Sequence, residues 1–151
     1  LTSIDFYFNA GDKIEVACRL AAKAFAQKKR VLVFAPDTHA ARELDRKLWT
    51  WQQLSFVPHC LAHDPLAART PVLIASDAER MTGFAPPEIL LNIGQDCPPL
   101  FERFDRLLEL VGSGDEDRAH GRARYKFYKE RGYALGHHDL ALAAEAPGGR
   151  H

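Results

Sequence analysis

The chain reads as an α/β domain with a mostly parallel sheet flanked by helices, and three observations carry that reading. Val31 to Ala35 (VLVFA) is a continuous apolar run, the pattern of a central strand covered on both faces. Segments with apolar residues at spacings of three and four lie between such runs, so strands alternate with helices. With 151 residues, 46% hydrophobic and 26% charged, the composition fits one globular domain with its own core.

Element by element, Ile4 to Phe8 (IDFYF) is a short buried strand, broken by Gly11 and Asp12. Asp12 with Glu15 gives an N-cap signal of the capping-box kind. Ile14, Ala17, Cys18, Ala21 and Phe25 then mark an amphipathic helix over residues 13–29, with Lys28, Lys29 and Arg30 at the end where the macrodipole favours cations. After the Val31–Ala35 strand, Pro36 and Asp37 lead into a helix to about Trp49, with Ala41, Leu44 and Leu48 inward. Residues 50–71 lack a clean period and read as a long connection. Val72 to Ala75 and Ile89 to Ile93 are further strands. Pro98 and Pro99 open a short helix through Phe104, and Arg106 to Val111 is the last strand. A final helix follows Gly112-Ser-Gly114 and ends at Gly132, with His137-His138 leaving it. The domain is expected to cover residues 1–140, with 141–151 a small, polar tail prone to fray.

Composition narrows the function. No apolar run approaches the roughly 18 residues of a membrane span and no signal-like segment opens the sequence, so a cytoplasmic protein is expected. Cys18, Cys60 and Cys97 form no CxxC pair and read as reduced thiols. The formal net charge is zero, unlike domains that coat nucleic acid. The first strand–helix turn has a single glycine, no GxxxxGK[ST] occurs, and Gly112-Ser-Gly114 has Asp117 where a third glycine would stand. Asp115, Glu116 and Asp117 would repel a phosphate there, so no nucleotide site and no cofactor is expected. There is no GxSxG elbow. His59, Cys60, His63 and Asp64, and His137-His138-Asp139, do not pair in a zinc pattern, so no metal is expected.

Two surfaces stand out. From Arg118 to Tyr133 the chain holds six Lys or Arg and one Glu. At helical spacing Arg118, Arg122, Tyr125, Lys126 and Lys129 share an arc of about 100°, with Ala119, Ala123 and Phe127 beside it as the expected core face. Gly121 sits mid-helix at a cost of about 1 kcal/mol relative to Ala, as though something approaches the backbone closely. An acidic ligand with an apolar anchor suits this strip; the alternative is single-stranded DNA, held by its phosphates and stacked on Tyr125 or Tyr128. The second surface is the run Trp49, Trp51, Leu54, Phe56 and Val57, whose aromatics suit a protein interface.

Several segments, in order, resemble the chi subunit family of bacterial DNA polymerase III holoenzyme: FYF (Phe6 to Phe8), KKRVLVFA, LDRKLW (Leu44 to Trp49), SFVPH (Ser55 to His59) and RARYKFYKERGYAL near the end. The resemblance implies a Rossmann-like sheet without a nucleotide and a non-catalytic adaptor in the clamp-loader assembly. It further implies binding to the acidic, phenylalanine-ended C-terminal tail of single-stranded-DNA-binding protein, so that nucleic acid is reached only indirectly. The positions matching that pocket are Val111, Arg118, Arg122, Tyr125 and Lys126. The cations would hold the tail's carboxylates; Val111 and Tyr125 would border the terminal ring. A family lysine is Arg118 here, which keeps the charge but changes its hydrogen-bond geometry. The same resemblance implies a psi-subunit interface at Trp49, Phe56, Val57 and Pro58, for which a repair helicase competes. His63 and Asp64 fall where the family is glycine-rich, and nothing after Leu140 has a counterpart.

Overall fold

A computed structural model of the chain describes residues 1–51, 58–62, 64, 70–83 and 85–141. Among these, strands β1 (Ser3–Ala10), β2 (Val31–Phe34), β3 (His59–Leu61), β4 (Val72–Ala75), β5 (Ile89–Asn92), β6 (Arg106–Gly112) and β7 (Leu135–Asp139) form one sheet in the order β3-β4-β2-β5-β6-β1-β7. Every pairing is parallel. Helices α1 (Lys13–Ala26), α2 (Thr38–Thr50) and α3 (Asp115–Glu130) cover its faces. The structure is thus the expected α/β, Rossmann-like single sheet.

Side chains alternate across a strand, and the two faces have separate cores. Val31, Val33, Val72, Ile74, Leu108 and Leu110 meet Val16, Ala17, Cys18 and Ala21 of α1 and Ala41, Leu44 and Leu48 of α2. On the other face Leu32, Leu73, Leu90, Leu107 and Val111 pack with Ile4, Phe6, Phe104 and Tyr128. Each fully buried aliphatic side chain contributes about 1.5–3 kcal/mol, so these central strands dominate the stability. The expected cap at Asp12 forms, its carboxylate accepting from Glu15 N at 3.1 Å, and the structure adds a cap at Asp37, which accepts from His39 N at 2.9 Å.

Five local expectations are corrected. Helix α1 stops at Ala26, because Lys28 takes a left-handed φ of 62° and Lys29 N turns back to Ala24 O at 2.9 Å. The basic triplet therefore lies beyond the helix. Only a single turn of 3₁₀ helix, Phe101–Arg103, forms after the two prolines. β3 lies in the stretch read as a connection, and β7 is built from the residues read as a helix exit. β7 (LGHHD) is partly exposed and has no apolar run; it exists through backbone pairing with β1, Ile4 opposite Leu135 to Phe8 opposite Asp139. The fifth correction concerns α3. Ala119 and Ala123 are exposed and Phe127 only half-buried; the core face is Gly121, Arg124 and Tyr128.

Candidate functional site

The site begins with the way α3 sits on β6. Alternation along β6 turns Leu108 and Leu110 toward α1 and α2, and Glu109 toward α3. A buried carboxylate requires partners. Glu109 receives Arg124 Nε at 2.9 Å, Tyr128 Oη at 2.5 Å and Asn92 Nδ2 at 2.8 Å. Burial raises the Glu109 carboxyl above its ordinary value, opposed by the Arg124 guanidinium and by the Tyr128 and Asn92 donors. Arg124 also donates to Leu110 O at 3.2 Å and to the Gln95 carbonyl. Its charge is spent in the core and does not belong to the surface strip.

That anchor, with Gly121, draws the helix close. A Cβ at position 121 would stand 2.8 Å from both Val111 methyl carbons, so only glycine lets α3 rest on Val111 at this depth. The close approach needed at Gly121 is thus to the sheet itself.

Beside this contact lies a cavity of about 270 Å³ lined by Phe6, Phe8, Asn9, Val111, Arg118, Gly121, Arg122, Tyr125 and His137. A dry cavity of about 150 Å³ is enough to hold benzene, so a phenyl ring fits. The floor is apolar, and Tyr125 stands edge-on to Phe6 at 5.4 Å. Arg118 and Arg122 are exposed on the helix side, and no carboxylate lines the cavity among the described residues. A register shift in β1 between Tyr7 and Ala10 brings Phe8 and Asn9 to the wall; Asn9 takes φ 62° and donates to Asp139 Oδ1 at 2.9 Å. His137 Nε2 lies 3.0 Å from the Tyr125 hydroxyl. Such a cavity takes an apolar ring and presents guanidinium groups to an anion attached to it.

Of the five residues expected here, Val111, Arg118, Arg122 and Tyr125 line the cavity together. Lys126 is exposed on α3 and does not line it. Sequence reasoning missed Phe6, Phe8, Asn9 and His137. The signal available for Phe6 and Phe8 was period-two alternation in β1; none marked His137, since β7 itself was unrecognised.

At the carboxyl ends of the strands, where open α/β sheets ordinarily take nucleotides, a larger crevice of about 640 Å³ includes Asp37, Asp96, Asp117 and Lys13. The Asp117 carboxylate accepts from Gly112 N at 2.5 Å and from Lys13 Nζ at 3.1 Å. Burial alone would raise this carboxyl, but the Gly112 amide and Lys13 hold it below its ordinary value. A side-chain anion thus takes the backbone donor that a phosphate would use, and three carboxylates would face an incoming phosphate.

On the opposite side of the molecule Trp49 is 57% exposed at the end of α2, its ring edge-on to His59 at 4.8 Å. Trp51 packs partly against the core, and Pro58 is half-buried. Phe56 and Val57 lie outside the described residues. His59 is buried, its Nε2 3.1 Å from Asp45 O, with Cys60 following it on the other face of β3. Among the described residues no three or more His, Cys, Asp or Glu group to hold a metal ion, and no helix is long and apolar enough to cross a membrane.

The model of the family described as DNA polymerase III chi subunit, HolC, matches residues 1–136. The DNA polymerase III subunit chi of Pseudomonas aeruginosa is 32% identical over 148 residues, covering 93% of this chain and 98% of that protein. Those of Haemophilus influenzae and Escherichia coli are 30% and 31% identical over 121 residues, covering 80% of this chain and 83% and 81% of theirs. The cavity, with its broken phosphate loops nearby, therefore stands on a replication accessory subunit: the chain belongs to the DNA polymerase III chi subunit family.

Proposed function

We propose that this protein is a non-catalytic adaptor, acting in the cytoplasm, that takes the acidic, phenylalanine-ended C-terminal tail of single-stranded-DNA-binding protein in the Val111–Tyr125 cavity. Through the surface at Trp49, Phe56, Val57 and Pro58 it couples that tail to the psi subunit of DNA polymerase III, or in competition to a repair helicase. The observation that carries the reading is the pairing of a ring-sized apolar cavity with two exposed arginines and, among the described residues, no lining carboxylate. Lys126 adds long-range attraction from outside the cavity.

A concave, half-buried Tyr125 suits an inserted ring better than it suits base stacking on an open platform. Calorimetric titration with a short acidic peptide ending in Pro-Phe, beside a copy lacking the last Phe and a single-stranded oligonucleotide, tests the reading. Binding confined to the intact peptide is expected. Binding to the oligonucleotide alone would contradict the adaptor reading and transfer the basic helix to direct DNA contact.

A further inference from the structure

The cavity has an asymmetric electrostatic plan. Its cations, Arg118 and Arg122, both come from α3, while the sheet supplies Phe6, Phe8, Asn9, Val111 and His137. Among the described sheet-side lining residues, His137 alone has a side chain that can gain a positive charge. It is also the residue that holds Tyr125: Nε2 is 3.0 Å from the phenol oxygen, and the rings are tilted with centroids 5.3 Å apart.

We propose that His137 is a specificity-determining residue of this cavity, its protonation tightening the hold on an acidic ligand. The inference rests on the acidic-tail reading above. Two effects act together. A proton on His137 adds a cation to the sheet wall, opposite the arginines. It also changes the direction of the Tyr125 hydrogen bond. Neutral imidazole with a bare Nε2 accepts the phenol proton; in imidazolium both nitrogens donate, so Nε2–H points at the phenol oxygen and the phenol O–H is released to donate to a ligand carboxylate. No proton is lost or created beyond the one bound by the ring.

The charged neighbours facing it from α3 are cations, so an anion bound between the two walls offsets their repulsion of a proton on His137. From α3 the charged groups are Arg118 and Arg122, with Lys129 Nζ 6.0 Å from the Tyr125 ring centre. From β1, Phe6 and Phe8 are apolar, and Asn9 is tied to Asp139 of β7, whose carboxylate also accepts from Ala141 N at 3.0 Å. His138 belongs to a separate cluster, stacked on Tyr7 at 4.3 Å and 3.3 Å from Asp5 Oδ1. An anionic ligand and a proton on His137 attract one another, and such coupling is reciprocal.

The test is calorimetry of the full chain with the acidic Pro-Phe peptide between about pH 5.5 and about pH 8, above the range where the peptide's own carboxylates titrate. Wild-type affinity is expected to rise about fivefold toward the acid end, the effect of one partly solvated unit charge at contact distance. His137→Gln should lose that slope, while His138→Gln retains it. A slope that survives in His137→Gln, or a flat wild-type profile with normal binding, overturns the role of His137 alone. No binding at any pH overturns the ligand class of the cavity and this inference with it.

Discussion

Arg124 Nε lies 2.9 Å from Glu109 Oε1, so a cation from the middle of the basic helix points into the sheet while its neighbours face solvent. Both side chains are essentially inaccessible, at 2% and 0% exposure. Removing one partner leaves the other charge buried and alone. Arg124→Ala is expected to lower unfolding free energy by about 3–5 kcal/mol in urea denaturation, whereas Arg118→Ala, on the exposed strip, should stay within about 0.5 kcal/mol. Equal small losses would show that the pair does not anchor α3.

Gly121→Ala sets two effects against each other. Alanine gains about 1 kcal/mol of helix propensity, but its Cβ would meet both Val111 methyl groups at 2.8 Å. Val111 is buried and branched and cannot swing aside, and overpacking of this kind costs about 1–3 kcal/mol. The variant should therefore be less stable on thermal melting and bind the acidic peptide more weakly, because the helix and the cavity wall move together. A raised melting temperature with unchanged binding would count against the close packing.

The cavity assignment separates residues that the basic stretch alone treats alike. Arg122→Ala and Tyr125→Ala should each abolish most peptide binding, measured by calorimetry, with far-ultraviolet circular dichroism unchanged. Lys126→Ala, outside the lining, should cost less than tenfold. Trp49→Ala, on the other surface, should leave peptide affinity alone and weaken capture of the second protein partner. An equal loss for Lys126 and Arg122 would favour a diffuse electrostatic surface over a pocket.

Acid should loosen the join between β6 and α3. The Asp117 carboxyl is held below its ordinary value of 3.8, so its contribution is complete above that pH and is lost as pH falls through the lowered folded-state value. Asp117→Asn should remove that part of the acid dependence, read as the change of urea midpoint with pH below about pH 4. An unchanged acid limb would mean that Asp117 is not coupled to folding.

How much of this was legible in sequence follows from what each residue advertises. The buried strands VLVF and VLIA declare themselves because both faces are covered and every residue is apolar. The cap at Asp12 and the glycine exit at Gly132 are local chemistry, and both appear, Gly132 with φ 84°. The core face of α3 was hidden because its stripe reads Gly121, Arg124, Tyr128: no aliphatic residue marks it, and its burial depends on Glu109 supplying the missing charge. One charged residue inside RLLELV was the available hint. β7 was hidden for a related reason, since an edge strand held by backbone pairing needs no apolar period. Arg118, Arg122 and Tyr125 share one face by helical spacing and Val111 was offered by the family resemblance alone, and all four line the cavity; Asn9 and His137 depend on a register shift and on an edge strand, which only the fold reveals.

The central claim is that an acidic, phenylalanine-ended tail enters the cavity between α3 and the β1–β7 edge. Titrating isotopically labelled protein with the Pro-Phe peptide, and following amide resonances by nuclear magnetic resonance, tests it most directly. Shifts concentrated at Phe8, Asn9, Val111, Gly121, Arg122, Tyr125 and His137, and lost when the terminal Phe is omitted, are the predicted result. Shifts spread along the exposed cations and indifferent to that ring, or centred on Trp49, would contradict it.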